Sequence, residues 1–161
     1  MTANLKVLHD KTLQHKEKMK KIKVKVAKAR EELQKVFKIR EEVFIKGQKV
    51  PRSKEWDKHD KSSTHFIVLI EDIPIGCARI TFKDRNAKLE RIAILKKFRN
   101  RGYGKKIVSK LISYSKLKKS SSIFMNAQYY LKDYYSKLGF KEQGKVFMEA
   151  GIKHVKMHYK N

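Results

Sequence analysis

The chain has 161 residues and a formal net charge of +25, from 41 Lys and Arg against 16 Asp and Glu. That length suits a single domain, and an apolar fraction of 40%, gathered in short runs, is enough for a packed core despite 35% charged residues. No run approaches the 18 apolar residues of a membrane span, Met1 to Lys6 lacks the apolar core of a secretory signal, and the lone Cys77 excludes an internal disulfide and a cysteine metal site. No membrane association, no metal and a cytoplasmic location are the expectations.

The basic excess has two readings. One is an anionic partner: nucleic acid, an acidic membrane surface or a phosphorylated small molecule. The other is a composition in which Lys simply outnumbers Arg. Met1 to Arg30 holds ten Lys or Arg against Asp10 and Glu17, so the remaining chain is still strongly basic. Residues 1–20 read as a basic extension, helical if the 3-4 spacing of Leu5, Leu8, Met19 and Ile22 is used. Residues 21–161 form the domain.

Residues 21–27 alternate, with Ile22, Val24 and Val26 on one face of a half-buried strand. Glu31 to Ile45 has helical spacing through Leu33, Val36, Phe37, Arg40, Val43 and Phe44, with Glu31 and Glu32 at the favourable end of its dipole and Gly47 as its stop. Gln48 to Ser63 is a polar loop. Strands are predicted at 65–70, 75–82 and 87–95, separated by turns at 71–74 and 83–86, as an antiparallel meander. A glycine-bearing loop at 99–104 leads into a helix at 105–118. A strand at 122–127, a short helix at 131–138 ended by Gly139, and strands at 140–148 and 152–159 about an Ala150–Gly151 turn complete the chain. This order predicts a mixed α/β sheet with helices on its faces.

The chemistry centres on Glu90 to Lys106. A strand runs into a loop with Gly102 and Gly104, and a helix begins there. Unpaired N–H groups and the helix dipole make such a corner a pyrophosphate cradle, and Arg99, Arg101, Lys105 and Lys106 add positive charge. Position 107 is Ile, so the dinucleotide pattern with a third glycine fails, and the nucleotide-triphosphate loop is absent.

The Arg99-x-x-Gly102-x-Gly104 segment after an Ile-Ala-Ile strand resembles the acetyl-CoA signature of the GNAT family of N-acetyltransferases. Asn126 with Ala127 and Gln128, the run from Tyr134 to Phe140, the segment Lys38 to Ile45 with Gln48, Val50, Pro51 and Glu55 to Asp57, and the segment Glu149 to Met157 also resemble it, in order. The resemblance covers residues 22–159. It implies a splayed central sheet flanked by helices, in which the strand of Ile92, Ala93 and Ile94 parts from the strand of Asn126, and pantetheine lies in the gap. It implies that Arg99, Asn100, Arg101, Gly102, Tyr103, Gly104 and Lys105 take the pyrophosphate, that Asn126 meets the pantetheine arm, and that Asp133 and Tyr134 flank the cofactor. The cofactor implied is acetyl-CoA, and the activity acetyl transfer to a primary amine.

Transfer to an amine requires a base, oxyanion stabilisation and protonation of the leaving thiolate. Tyr135 matches the family's general acid; its alternative is a core aromatic. Glu90, at the start of the cofactor strand, is a base whose pKa burial is expected to raise, or else an ion-pair partner of Arg79 or Arg91. Main-chain N–H groups of Ile92 to Ile94 are expected to face the oxyanion. Glu55, Trp56, Asp57, Glu149 and His154 are acceptor-pocket candidates, and Cys77 is a core residue, so direct transfer is expected.

Among acceptors, a +25 chain favours an anionic amine such as glucosamine 6-phosphate over a polyamine or a protein lysine. A nucleic-acid-binding module using Tyr129, Tyr130, Tyr134 and Tyr135 as stacking groups is the non-enzymatic alternative, without a nucleic-acid motif to support it. A homodimer through the N-terminal segment or the final hairpin is left open.

Overall fold

The computed structural model describes residues 21–160, so the expected basic extension lies outside the described residues. Seven strands form one sheet: β1 (Ile22–Val26), β2 (Thr64–Ile70), β3 (Ile73–Lys83), β4 (Asn86–Ile94), β5 (Ser122–Gln128), β6 (Phe140–Glu149) and β7 (Ile152–Tyr159), in spatial order β1-β2-β3-β4-β5-β7-β6. Helices are α1 (Arg30–Arg40), α2 (Arg52–Glu55), α3 (Tyr103–Leu117) and α4 (Lys132–Ser136). Among the described residues no helix is long and apolar enough to cross a membrane.

Local chemistry explains the hairpins. Glu71 and Asp72, Asp84 and Arg85, and Ala150 and Gly151 are paired positive-φ residues between β2 and β3, β3 and β4, and β6 and β7. Two residues with φ above zero match the right-handed twist of antiparallel strands. The turn at 71–72 is tighter than the 71–74 reading, and Pro74 lies inside β3 opposite Leu69, beside an irregularity in the β2–β3 ladder.

Strand alternation divides the core between the two sheet faces. Phe66, Val68, Ile80 and Leu89 meet Ile107, Val108 and Leu111 of α3 on one face. Ile67, Leu69, Cys77 and Ala93 meet Val36, Ile39 and Val43 on the other, under α1. The expected helix at 31–45 is α-helical only to Arg40; Glu41–Gly47 is a wider π turn, closed by Gln48 N–H donating to the Val43 carbonyl at 3.0 Å. The expected loop at 48–63 contains α2 and a further turn at Lys58–Lys61.

Two irregularities create the site. β4 and β5 are parallel and pair only from Asn86 with Ser122 to Lys88 with Phe124. Beyond that, β5 pairs with β7 on its other side, Phe124 to Gln128 against His158 to His154. The stretches Leu89–Ile94 and Met125–Gln128 therefore diverge around a wedge, as the family resemblance implied. The second irregularity is in β3–β4: Arg79 faces Glu90 and Cys77 faces Ala93, so Arg91 and Ile92 together oppose Ala78. Arg91 takes φ 54° at this bulge, and the bulge reverses the alternation of the strand.

Candidate active site

The bulge puts consecutive residues on one face. Glu90 and Arg91 both turn to the α1 side, where β3 contributes Arg79 and Thr81 and the 52–61 segment contributes three carboxylates. The Arg79 guanidinium, 1% exposed, donates to Asp57 (2.8 and 2.9 Å), Asp60 (2.8 Å) and Glu90 (3.1 and 2.8 Å). Arg40, fully buried, donates Nε to Glu55 at 2.7 Å, Nη1 to Asp60 at 2.6 Å and Nη2 to the Glu55 carbonyl at 2.7 Å. Arg91 lies 2.9 Å from Glu55 and 3.2 Å from Asp57; its Nε is near the Glu55 oxygen without the alignment of a hydrogen bond. Lys88 pairs with Glu90 at 2.8 Å, and Thr81 donates to Glu90 at 2.7 Å.

Four carboxylates thus meet four cations in a neutral network. Burial presses the Glu90 carboxyl upward, but the Arg79 and Lys88 charges and the Thr81 hydroxyl outweigh it, and its pKa falls below the ordinary value. This corrects the expectation that burial would raise it: desolvation is real, but three donors oppose it. Asp57 is held at about 2: burial raises it, and hydrogen bonding and charge from Arg79 overcome that. Glu55 goes the other way, raised mainly by burial.

The expected acceptor residues in this loop have other partners. Glu55 is 2% exposed and Asp57 is ion-paired, so neither is a free carboxylate for a cationic substrate. Trp56 packs edge-on to Phe37 at 5.4 Å and lies under the Arg40 guanidinium at 4.9 Å. Sequence reasoning named Arg79 only as a candidate partner of Glu90, a pair the structure shows, and missed that Arg40 and Arg79 organise the whole network. The signal was present: each is a charged residue at an inward position of an apolar pattern, and such a group requires buried counter-ions.

On the opposite side of the wedge, Ile92 and Ile94 pack toward the cluster that holds Met125, Ala127 and Tyr135. Tyr135, on α4, is 7% exposed, with ring contacts to Tyr134 at 5.3 Å and Phe140 at 6.1 Å. Burial drives its phenol above the usual range. Its hydroxyl carries no hydrogen bond to the described residues. Tyr134 is 39% exposed, and its hydroxyl lies so near Gly104 that a Cβ there would be 2.5 Å away. Adjacent tyrosines are thereby separated, Tyr134 to the loop and Tyr135 to the core against Phe140.

The loop itself has the conformation that its glycine requires. Gly102 has φ 77° and precedes the first turn of α3, and Asn100 has φ 61°. Tyr103 is 6% exposed, its ring in the core, so it offers the loop only its amide. Arg101 and Lys105 are exposed, and Arg99 donates Nε to the Ile94 carbonyl at 2.9 Å, fixing the end of β4. A strand edge without a β5 partner, a glycine-bearing helix start and surrounding cations fit the extended pantetheine and the pyrophosphate of acetyl-CoA. Asn126 lies on β5 at the wedge, and exposed Asp133 begins α4. Gln128 and Gln48 exchange amide hydrogen bonds at 2.9 and 3.1 Å, tying the π-turn segment to the end of β5, a bridge between residues 80 apart that no local pattern signals. His154 stacks on Phe147 at 5.9 Å and lies 3.8 Å from Glu149. Cys77 is fully buried, and burial pushes its thiol up to about 12. Among the described residues no group of three or more His, Cys, Asp or Glu is arranged to hold a metal ion.

A wedge between parallel strands, a bulged β4 and a cationic helix start define an acyltransferase built to take a coenzyme A thioester. The acetyltransferase (GNAT) domain model matches residues 19–161, and the chain belongs to that family. It is 37% identical over 137 residues to the uncharacterized N-acetyltransferase YjcF of Bacillus subtilis, covering 84% of this chain and 98% of that one. The structure resembles an acyl-CoA N-acyltransferase from Pseudomonas aeruginosa, with a TM-score of 0.77, 21% identity and coverage of 87% and 99%. It also resembles a GNAT family acetyltransferase from Elizabethkingia anophelis with acetyl-CoA bound, with a TM-score of 0.63, 19% identity and coverage of 85% and 94%. The protein is an acyltransferase that uses acetyl-CoA.

Proposed function

We propose that this chain transfers the acetyl group directly to the primary amine of a small anionic molecule, an amino-sugar phosphate such as glucosamine 6-phosphate being the best fit. The observation that carries the anionic acceptor is the neutral network beside the wedge: Glu55, Asp57, Asp60 and Glu90, four of the chain's sixteen acidic residues, are compensated by Arg40, Arg79, Arg91 and Lys88. A polyamine needs uncompensated carboxylates, and among the described residues the four carboxylates of this network are ion-paired. Four acids and four bases cancel within the network, so the +25 excess lies on the residues outside it.

Bound acetyl-CoA supplies the activated acyl thioester. The amides of residues 99–105 hold its pyrophosphate, with Arg101 and Lys105 as counter-charges; Asn126 contacts the pantetheine arm, and Asp133 and Tyr134 flank it. The N–H groups of Ile92 to Ile94, left without a β5 partner, donate to the carbonyl oxygen as it gains charge. Tyr135 donates its phenolic proton to the leaving sulfur. The phenol is protonated at neutral pH at its ordinary value, and burial, which raises its pKa, leaves it in that donor form. Glu90 stays ionised and positions the water that takes the proton from the amine; its lowered pKa makes it an orienting group more than a strong base. The proton lost by nitrogen balances the proton gained by sulfur, and Tyr135 is restored from solvent. The inert Cys77 thiol agrees with transfer without a cysteine intermediate. Acetyl-CoA supply places the activity in the cytoplasm.

The test is isothermal titration with acetyl-CoA, followed by thiol release with glucosamine 6-phosphate, glucosamine, spermidine and a lysine peptide. Binding with fastest turnover on glucosamine 6-phosphate is expected. Faster turnover on spermidine or the peptide would overturn the anionic acceptor, and absence of acetyl-CoA binding would overturn the enzyme reading.

A further inference from the structure

The same face of the sheet that α1 covers over β2, β3 and β4 continues onto β5, β7 and β6, where the π-turn segment reaches it at Gln128 through Gln48. The ladders place its side chains in rows. Lys88, Phe124, His158 and Lys141 are successive neighbours across β4, β5, β7 and β6. Asn126, Lys156 and Gln143 form the next row, and Gln128, His154 and Phe147 the third. With the two-residue period of a strand, positions 154, 156, 158 and 160 of the β7 segment share this face, and they are His, Lys, His and Lys.

Side-chain contacts confirm the common orientation. His158 stacks on Phe124 at 5.6 Å, and the Lys156 ammonium lies 4.6 Å from the centre of the same ring. Lys141 is the ladder partner of His158 and Lys160 lies two residues beyond His158 on the same face, so the two like charges are neighbours, and Lys141 holds Lys160 below the ordinary lysine value. Neither Lys156 nor this lysine pair has a carboxylate within ion-pairing distance among the described residues. Glu142 turns away to Lys132 at 3.3 Å, and Glu149 is at the hairpin end beside His154. The His158 Nε2 atom is buried with no hydrogen-bond partner. Like charges side by side without a counter-ion, next to an unpaired ring nitrogen, form a surface complementary to an oxyanion.

The position of the face specifies its use. Asn126 borders the wedge, and Lys156 is its cross-strand neighbour, about 5 Å away between Cα atoms. An acceptor with its amine at the bulge and a phosphate one sugar length away would bring that phosphate over β7. We propose that the open face of β5, β7 and β6 is the phosphate subsite of the acceptor, with Lys156, held over the Phe124 ring, as its anchor and Lys141 and Lys160 as its flanking charges. This deepens the anionic-acceptor reading and rests on it.

The experiment uses glucose 6-phosphate, which has the phosphate but no amine to acetylate, so binding is read without turnover. Amide shifts of the full chain should move at residues 141, 156, 158 and 160 on titration. Lys156→Met, which keeps the stem over Phe124, should weaken glucose 6-phosphate binding at least tenfold, as should the Lys141→Gln and Lys160→Gln double variant; Lys156→Arg should retain most of it. In turnover, Lys156→Met should raise KM for glucosamine 6-phosphate at least tenfold, leaving kcat, the acetyl-CoA Kd and the KM for glucosamine nearly unchanged. Shifts that map elsewhere, or a Lys156→Met variant that binds glucose 6-phosphate like the parent, overturn the subsite. If acetyl-CoA binds normally in that case, only the subsite has failed. If acetyl-CoA does not bind, the transferase reading has failed, and the shift map still decides whether this face takes a phosphate.

Discussion

Replacing Arg79 with methionine tests the neutral network beside the wedge. The side chain is 1% exposed and donates five hydrogen bonds to three carboxylates. Its loss leaves the network one positive charge short, although Asp57 keeps Arg91, Asp60 keeps Arg40, and Glu90 keeps Lys88. Removing one partner of a buried ion pair costs about 3–5 kcal/mol. Water reaches Asp57, 26% exposed, more readily than Asp60, 13% exposed, so the lower end applies, about 3 kcal/mol. For a chain of this size that lowers the midpoint of thermal unfolding by roughly 6–12 °C. Arg79→Lys keeps the charge but loses the planar fork, and about half the loss is expected. Calorimetry and urea unfolding measure both variants. An Arg79→Met loss below about 1 kcal/mol, the value of an exposed pair, would refute the claim that this network is a desolvated structural unit.

Tyr135→Phe should lower kcat about 100-fold or more with the acetyl-CoA Kd unchanged, measured by thiol release and isothermal titration, because the phenol is assigned to proton donation and not to cofactor binding. Gly104→Ala should leave the unfolding midpoint nearly unaltered while weakening acetyl-CoA binding about tenfold, since its Cβ meets only the movable Tyr134 hydroxyl at 2.5 Å. Gly76→Ala should cost at least about 2 kcal/mol, because its Cβ would be 2.6 Å from the Ala93 carbonyl oxygen, which belongs to the neighbouring strand. Acid stability should follow the network carboxylates. Asp57 is held at about 2 against an ordinary 3.8, so its contribution is fully present above about pH 4 and disappears as the pH falls toward 2. Asp60 and Glu90 are lowered in the same sense, and Glu55, raised by burial, offsets part of the slope. Urea midpoints from pH 7 to pH 2.5 should be flat to about pH 5 and then fall, more shallowly in Arg79→Met.

The elements were legible where local chemistry decides them. Alternating Ile22, Val24 and Val26, the turn segments at 71–74, 83–86 and 150–151, and the apolar stripe of Ile107, Val108 and Leu111 each declare strand, hairpin or helix through interactions among near neighbours. The glycine positions at 102 and 104 marked the helix start, and the family resemblance supplied the wedge. The state of the functional groups was not legible, because it depends on partners far away in the chain. Glu90 lies between Arg79, Lys88 and Thr81, so its pKa falls where burial alone would raise it. Glu55, Trp56 and Asp57 read as a polar loop, yet Arg40 and Arg79, 15 to 22 residues away, draw them into a buried network. Nothing in the sequence places Lys141 beside Lys160 or Lys156 over Phe124. Periodicity encodes which face a side chain takes, a property of one segment; strand order and register decide which charges share that face, and those emerge only when the whole sheet is assembled.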